Sequence, residues 1–239
     1  LHRRRHSFPT RRSSDLVESE KGRRFLADCR RLGLEVEYEL HAMRELLPRA
    51  LFKDSPGMFR MNDQGVRTAD ANLCVHSEAA LQLVATNAVR LARRLRPTTG
   101  RYFFWGDDGQ PGCRCPRCRE FPDSDQALML ENQLVRALRT IDPGAQLAHL
   151  AYAGTLRAPT RVKPEPGIFL EYAPIHRRYD LPYAAQTGAE SKDGLENLEA
   201  NLLYWLIILL TLLSVFFLSK DLALDRAALS SWCFIRKNM

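Results

Sequence analysis

The chain has 239 residues, enough for one domain with a sizeable core, and its 45% hydrophobic and 26% charged residues are ordinary for a folded protein. Its formal charge of +7 is concentrated near the ends: residues 1–16 hold five arginines against one aspartate, and Lys220, Arg226, Arg236 and Lys237 outnumber Asp221 and Asp225 beyond residue 201. The stretch between is close to neutral, which excludes a basic nucleic-acid footprint, and the cysteine spacing is not that of a small secreted disulfide scaffold.

Residues 1–16 lack the apolar core of a signal peptide. Ser7-Phe-Pro-Thr-Arg-Arg-Ser-Ser-Asp-Leu16 resembles the conceptual translation of a short-read sequencing adapter, so this segment is expected to be artefactual and disordered. Residues 17–201 read as a second segment, of α/β type. A helix is expected over 17–32, followed by an alternating strand from Leu34 to Leu40. Turn signals at Ser55-Pro-Gly57 and Asn62-Asp-Gln-Gly65 precede a short strand at Asn72-Leu-Cys74. Ser77 reads as an N-cap, and Leu81, Val84, Ala88, Leu91 and Leu95 form the apolar stripe of the helix that follows, ended by Pro97. Tyr102 to Trp105 is an apolar strand closed by Gly106-Asp-Asp-Gly109. Asp123 or Ser124 caps a further helix that stops at Pro143-Gly144, and Gln146–Tyr152 and Gly167–Tyr172 are two more strands.

This alternation predicts a parallel sheet with crossover helices, in a doubly wound sheet or a (β/α) barrel. About five strands in roughly 185 residues, against about 250 for a full barrel, predict an incomplete (β/α)8 TIM-like barrel fragment. The third segment begins at Leu202. Leu202 to Leu218 is an apolar run with only Thr211 and Ser214 as polar interruptions, followed by a tail over 219–239. It reads as a hydrophobic C-terminal helix: a membrane span, a frameshifted or chimeric tail, or a buried helix. A membrane partner and a membrane-anchored location are expected only if the run is a genuine span; otherwise the compartment is not legible, with the cytoplasm as the default for the barrel.

Catalytic groups of a barrel sit where strands end, which singles out Asp107 and Asp108. Two neighbouring carboxylates push their pKa values apart, so one can hold a proton while the other stays ionised, as glycoside cleavage requires. The same residues also suit a plain turn. Trp105 offers a flat face for a sugar, His41 follows the first strand, and Glu171 and Tyr172 end a later one; Glu171 is a further catalytic candidate, and His41, Trp105 and Tyr172 are substrate-binding candidates. Cys113-Arg-Cys115-Pro-Arg-Cys118 places three thiols within six residues and resembles one knuckle of a structural zinc site, with Cys74 or His76 as the fourth ligand; a loop of reduced thiols or one local disulfide is the alternative. No cofactor for catalysis is expected.

Leu34-Glu-Val-Glu-Tyr-Glu-Leu-His41, Asp70-Ala-Asn-Leu-Cys74, Tyr102 to Gly109, the cysteine cluster, Ser124-Asp-Gln126 and Leu170-Glu-Tyr-Ala-Pro174 together resemble a bacterial family, the one numbered 4838 among domains of unknown function. Its members look like glycoside hydrolases, often beside a domain similar to the N-terminal domain of hexosaminidases or α-glucuronidases. The resemblance implies a carbohydrate-active barrel. Family 20 hexosaminidases end their fourth strand with Gly-Asp-Glu, in which the Glu is the acid and the Asp orients the acetamido group. Asp107 matches that Asp, and Asp108 stands where the Glu would, one methylene shorter. The expected activity is glycoside hydrolysis with Asp108 as proton donor; non-catalytic carbohydrate binding, or a structural metal-bearing module, is the alternative.

Overall fold

A computed structural model describes residues 13–175, 178–182 and 185–219. Residues 1–12 of the adapter-like segment and 220–239 of the tail lie outside the described residues. The chain divides into two units, one ending at Asn201 and one beginning at Leu202.

Four strands form one wholly parallel sheet in the order β1 (Glu39–His41), β2 (Arg101–Trp105), β3 (Gln146–Ala151), β4 (Ile168–Tyr172). The short helix α3 (Met43–Leu46) and α4 (Glu78–Arg94) join β1 to β2, and α5 (Asp123–Leu138) joins β2 to β3. The chain is therefore mixed α/β with a parallel four-stranded sheet. Before β1 come α1 (Ser13–Glu18) and α2 (Glu20–Arg31), so Ser13 to Leu16 are helical where disorder was expected. Arg94 of α4 holds Glu18 in a two-pronged ion pair and reaches Asp15 at 3.4 Å.

Both long helices start and stop for local reasons. Ser77 Oγ accepts the Ala80 N–H and opens α4. Helix α5 begins one residue behind Pro122, with Asp123 and Asp125 in its first turn against the positive end of the helix dipole. Between them they bury Ala80, Val84, Ala88, Leu128, Leu134 and Leu138, which form the core together with Leu147, Phe104 and Tyr102 of the sheet.

Two strand expectations change. Of the Leu34–Leu40 run only Glu39 and Leu40 join the sheet, together with His41 that follows it. Val36 instead exchanges hydrogen bonds with Thr98, which precedes β2, so this part of the chain lies beside a loop rather than a strand. Asn72-Leu-Cys74 is not a strand: Leu73 makes an isolated antiparallel bridge to Phe59. The helix of the βα repeat is also missing after β3, because Pro159, Pro164 and Pro166 interrupt the connection. That connection is held instead by Asp125, whose buried carboxylate accepts from the N–H groups of Thr160, Arg161 and Val162 and from Thr160 Oγ1 at 2.7–3.2 Å.

The register assigns the faces. Tyr102, Phe104, Leu147 and His149 face α5; His149 Nδ1 is 2.7 Å from Glu131 of that helix, and both are buried. On the other face lie Glu39, His41, Phe103, Trp105, Ala148, Leu150, Phe169 and Glu171. Ala148 is small, so Phe103 and Phe169 from the strands on either side of β3 meet edge-to-face at 5.7 Å.

The last helix, α6, spans Ala189–Ser219. Within the first unit, Asn201 is fully buried and donates to the Leu156 carbonyl at 2.9 Å. Among the described residues no helix is long and apolar enough to cross a membrane.

Candidate strand-end cleft and thiolate cluster

Strands β2 and β3 pair only at Arg101–Gln146 and Tyr102–Leu147. Beyond those pairs they diverge, and a cleft of about 720 Å³ including its mouth opens at their carboxyl ends. Its apolar wall includes Phe104, Trp105, Leu130 and Leu150, and Tyr152 lies beyond the end of β3. Asp107, Asp123, Glu131, Gln126 and His41 supply polar groups.

The Asp pair divides. Asp107 lines the cleft, but its Oδ2 is engaged by the Arg49 guanidinium and by the Asn72 N–H at 2.6 Å, while its own N–H donates to Asn72 Oδ1 at 2.8 Å. This reciprocal lock makes Asp107 a structural partner of the loop 49–72 more than a free acid. Asn72 adopts φ +42°, a conformation Asn tolerates better than most residues, and a Cβ at Gly106 would come within 2.9 Å of its Oδ1, so a side chain there would displace the Asn72 amide from its bond to Asp107. Asp108 is different: its side chain is 66% exposed at the rim, with Oδ1 3.6 Å from His41 Nε2. Burial and the Asp108 carboxylate push the Tyr152 phenol up, so Tyr152 stays protonated beside that acid.

His41 is fixed from both sides. Its Nδ1 is 2.7 Å from the Gly106 carbonyl oxygen, and its ring lies 5.3 Å from Trp105. Trp105 Nε1 is buried without a hydrogen-bond partner among the described residues. His41, Trp105, Asp107 and Asp108 thus lie close together at this end of the sheet. Glu171 and Tyr172 do not join them. Glu171 sits on the sheet face shared with Glu39; desolvation first, then the charges of Glu39 and Glu37, push its carboxyl up to about 7. Tyr172 has the opposite parity and donates its hydroxyl to the Gly194 carbonyl, so it does not face the sugar-stacking side. Arg49, Asn72, Gln126, Tyr152 and the Glu131–His149 pair were missed from the sequence, because each acts through a partner 18 or more residues away or across a loop.

Next to the cleft, Cys74, Cys113, Cys115 and Cys118 are all buried, with their sulfurs within 4.8 Å of one another. The described cysteines are free thiols, so the local disulfide alternative fails. The Cys74 sulfur is 3.8 Å from Cys115 and 3.7 Å from Cys118. A tetrahedral ion with metal–sulfur bonds of about 2.3 Å has sulfur–sulfur edges of about 3.8 Å, so the spacing suits a metal. The surroundings suit thiolates too. The Met61 N–H reaches Cys113 Sγ at 3.3 Å, the Cys115 N–H at 3.5 Å and Arg67 at 3.7 Å, and His76 Nδ1 lies 3.2 Å from Cys118 Sγ. Hydrogen bonds with Cys113 and Cys118 push the Cys74 thiol down, and hydrogen bonds with Cys113 and Cys74, with burial behind them, push the Cys118 thiol up. Cys74 is the fourth member of the cluster, and His76 stands behind Cys118. These four residues could hold a metal ion.

Gln126 ties the cysteine loop to α5. Its Oε1 accepts the Cys113 N–H at 2.9 Å, and its amide nitrogen donates among the carbonyls of Cys113, Cys118 and Phe121 at 3.0–3.2 Å. A Cβ on Gly112 would meet Gln126 Oε1 at 2.7 Å, which explains the glycine before Cys113.

The family model described as Domain of unknown function (DUF4838) matches residues 5–205. The chain belongs to the DUF4838 family. No curated protein and no solved structure matches this DUF4838 chain, so its chemistry rests on the cleft and the thiolates themselves.

Proposed function

We propose that this chain is a glycoside-hydrolase-like, carbohydrate-recognising domain, part of a (β/α)8 TIM-like barrel, with a structural zinc ion beside its ligand cleft. One observation carries the reading: a concave cleft at the carboxyl ends of parallel strands, lined by Trp105, His41 and Asp107, with the exposed Asp108 outside the lining and 3.6 Å from His41. The barrel reading is supported by the convergence of Phe103, Phe169, Glu39 and Glu171 on one sheet face, as side chains do inside a barrel. The zinc reading is supported by four buried sulfurs at tetrahedral spacing with N–H donors around them.

In this reading Asp108 is the proton donor, because it alone of the pair is free to meet a glycosidic oxygen, and Asp107 holds the loop that forms the mouth. Glu171, protonated up to about pH 7, is the second acid on the barrel's inner face. Among the described residues no lysine or arginine lines the cleft; its acids are met instead by Arg49, Arg114 and His149 from behind. That charge pattern favours an uncharged saccharide over a uronate or a phosphorylated sugar. The zinc serves the fold and no catalytic step.

The lock on Asp107 supports a second reading, sugar binding without hydrolysis. Glycan-array binding followed by turnover of neutral aryl glycosides separates the two. Hydrolysis lost in Asp108→Asn with binding retained supports the hydrolase; binding without hydrolysis supports the binding domain. No binding to any neutral glycan refutes both.

A further inference from the structure

We infer that the metal shapes the cleft: the ion at Cys74, Cys113, Cys115 and Cys118 holds two chain segments at the spacing that forms the cleft wall. This rests on the metal reading above and is independent of the carbohydrate reading.

The argument is one of adjacency. Cys74 is bracketed by Leu73 and Val75, and both line the cleft. Cys113 is preceded by Gly112, which also lines it. Arg114, between the first two thiols of the loop, grips Asp123 of the cleft wall with two hydrogen bonds at 2.5 and 3.0 Å. Gln126 lines the cleft and binds the backbones of Cys113 and Cys118. Each thiol-bearing segment therefore presents a near neighbour to the cavity.

Apart from the Asp107–Asn72 lock and the Arg49–Asp107 pair behind the cleft mouth, the contacts between the two segments near the sulfurs are few and polar, and include the Arg114–Asp63 pair at 3.6 Å and the His76 ring 5.6 Å from Phe121. The Arg114 N–H donates to the Met61 carbonyl at 2.8 Å, and Asn72 Nδ2 reaches the carbonyls of Gln110 and Pro111 at 3.1 and 3.0 Å. Four thiols in contact contribute only weak hydrogen bonds, whereas metal coordination contributes folding energy directly. Removing the ion leaves those few bonds to hold the wall. By linkage, whatever fills the cleft must then strengthen metal binding by the same factor as the metal strengthens it.

The test needs no ligand. In the full chain carrying Trp205→Phe and Trp232→Phe, Trp105 is the sole indole and reports the cleft. Metal content is measured first, and acrylamide quenching and far-ultraviolet circular dichroism are then compared before and after a chelator strips the ion under reducing conditions. The expected result is one ion per chain, a helical signal largely kept, and Trp105 quenching that rises about threefold on stripping, as for a locally opened site, and reverses with zinc but not magnesium. An ion that leaves without changing the quenching overturns this inference and spares the zinc reading. A chain that takes up neither zinc nor cobalt overturns both. If stripping unfolds the helices, Cys74→Ser decides: it leaves three sulfurs on the Cys113–Cys118 loop but releases the Leu73–Val75 segment from the ion, so the helical signal should stay and Trp105 should become exposed. A shielded Trp105 in that variant overturns the inference.

Discussion

Replacing Asp125 by Ala should be among the most damaging single changes in the first unit. The residue is fully buried, and its carboxylate gathers the N–H groups of Thr160, Arg161 and Val162 and the Thr160 hydroxyl. Truncation orphans three backbone donors. Each sits in a part-buried setting, so the low end of the usual penalty applies, about 1 kcal/mol apiece or about 3 kcal/mol together. Urea unfolding at pH 7, followed by circular dichroism, reads this directly. With a slope of about 2 kcal/mol per M, the midpoint should fall by about 1.5 M with the slope unchanged. A fall below about 0.5 M would mean that water replaces the carboxylate at little cost, and would refute the claim that Asp125 takes the place of the missing helix between β3 and β4.

The remaining predictions concern the clusters. Cys74→Ser should weaken zinc binding more than about 100-fold, measured by competition with a chromophoric chelator, because losing a ligand exceeds the usual 10–100-fold effect of an outer-shell change; unchanged affinity would remove Cys74 from the ligand set. Glu171 has a folded pKa of about 7, above its ordinary 4.5, so the folded state binds more protons than the unfolded one between those values. Stability should therefore fall as pH rises from about 4.5 to 7, by about 1–2 kcal/mol after allowance for solvent screening, and Glu171→Gln should flatten that slope in urea titrations. Asp107→Ala should strand the Arg49 guanidinium and the Asn72 N–H, costing about 2 kcal/mol; a cost near zero would show that the lock is ornamental.

Much of the architecture was legible because it follows from local periodicity. The stripe from Leu81 to Leu95 and the Ser77 cap define α4, and the run Tyr102–Trp105 between Gly-rich turns defines β2. The thiolate cluster was legible because three of its members are neighbours in sequence. What escaped is non-local. The alternation of Leu34–Leu40 signals a strand, but pairing depends on what lies alongside, and Thr98 offers only a loop there. Tyr172 follows Glu171 in the chain, and the twofold period of a strand puts it on the other face. The capture of Asp107 by Arg49, 58 positions away, could not be read from Asp-Asp-Gly, which looks the same whether its acids are free or bound.

The thiolates lie on either side of α4 and β2: Cys74 comes before both, and the other three come after. With an ion in place, the segment between becomes a closed ring of about 40 residues, and by the loop-entropy relation used for covalent cross-links such a closure is worth about 4 kcal/mol against the unfolded chain. A protease that nicks the ring at the exposed Arg96 or elsewhere therefore leaves the two pieces tethered through sulfur and metal, as a disulfide would, and they part only when a chelator or an acid withdraws the ion.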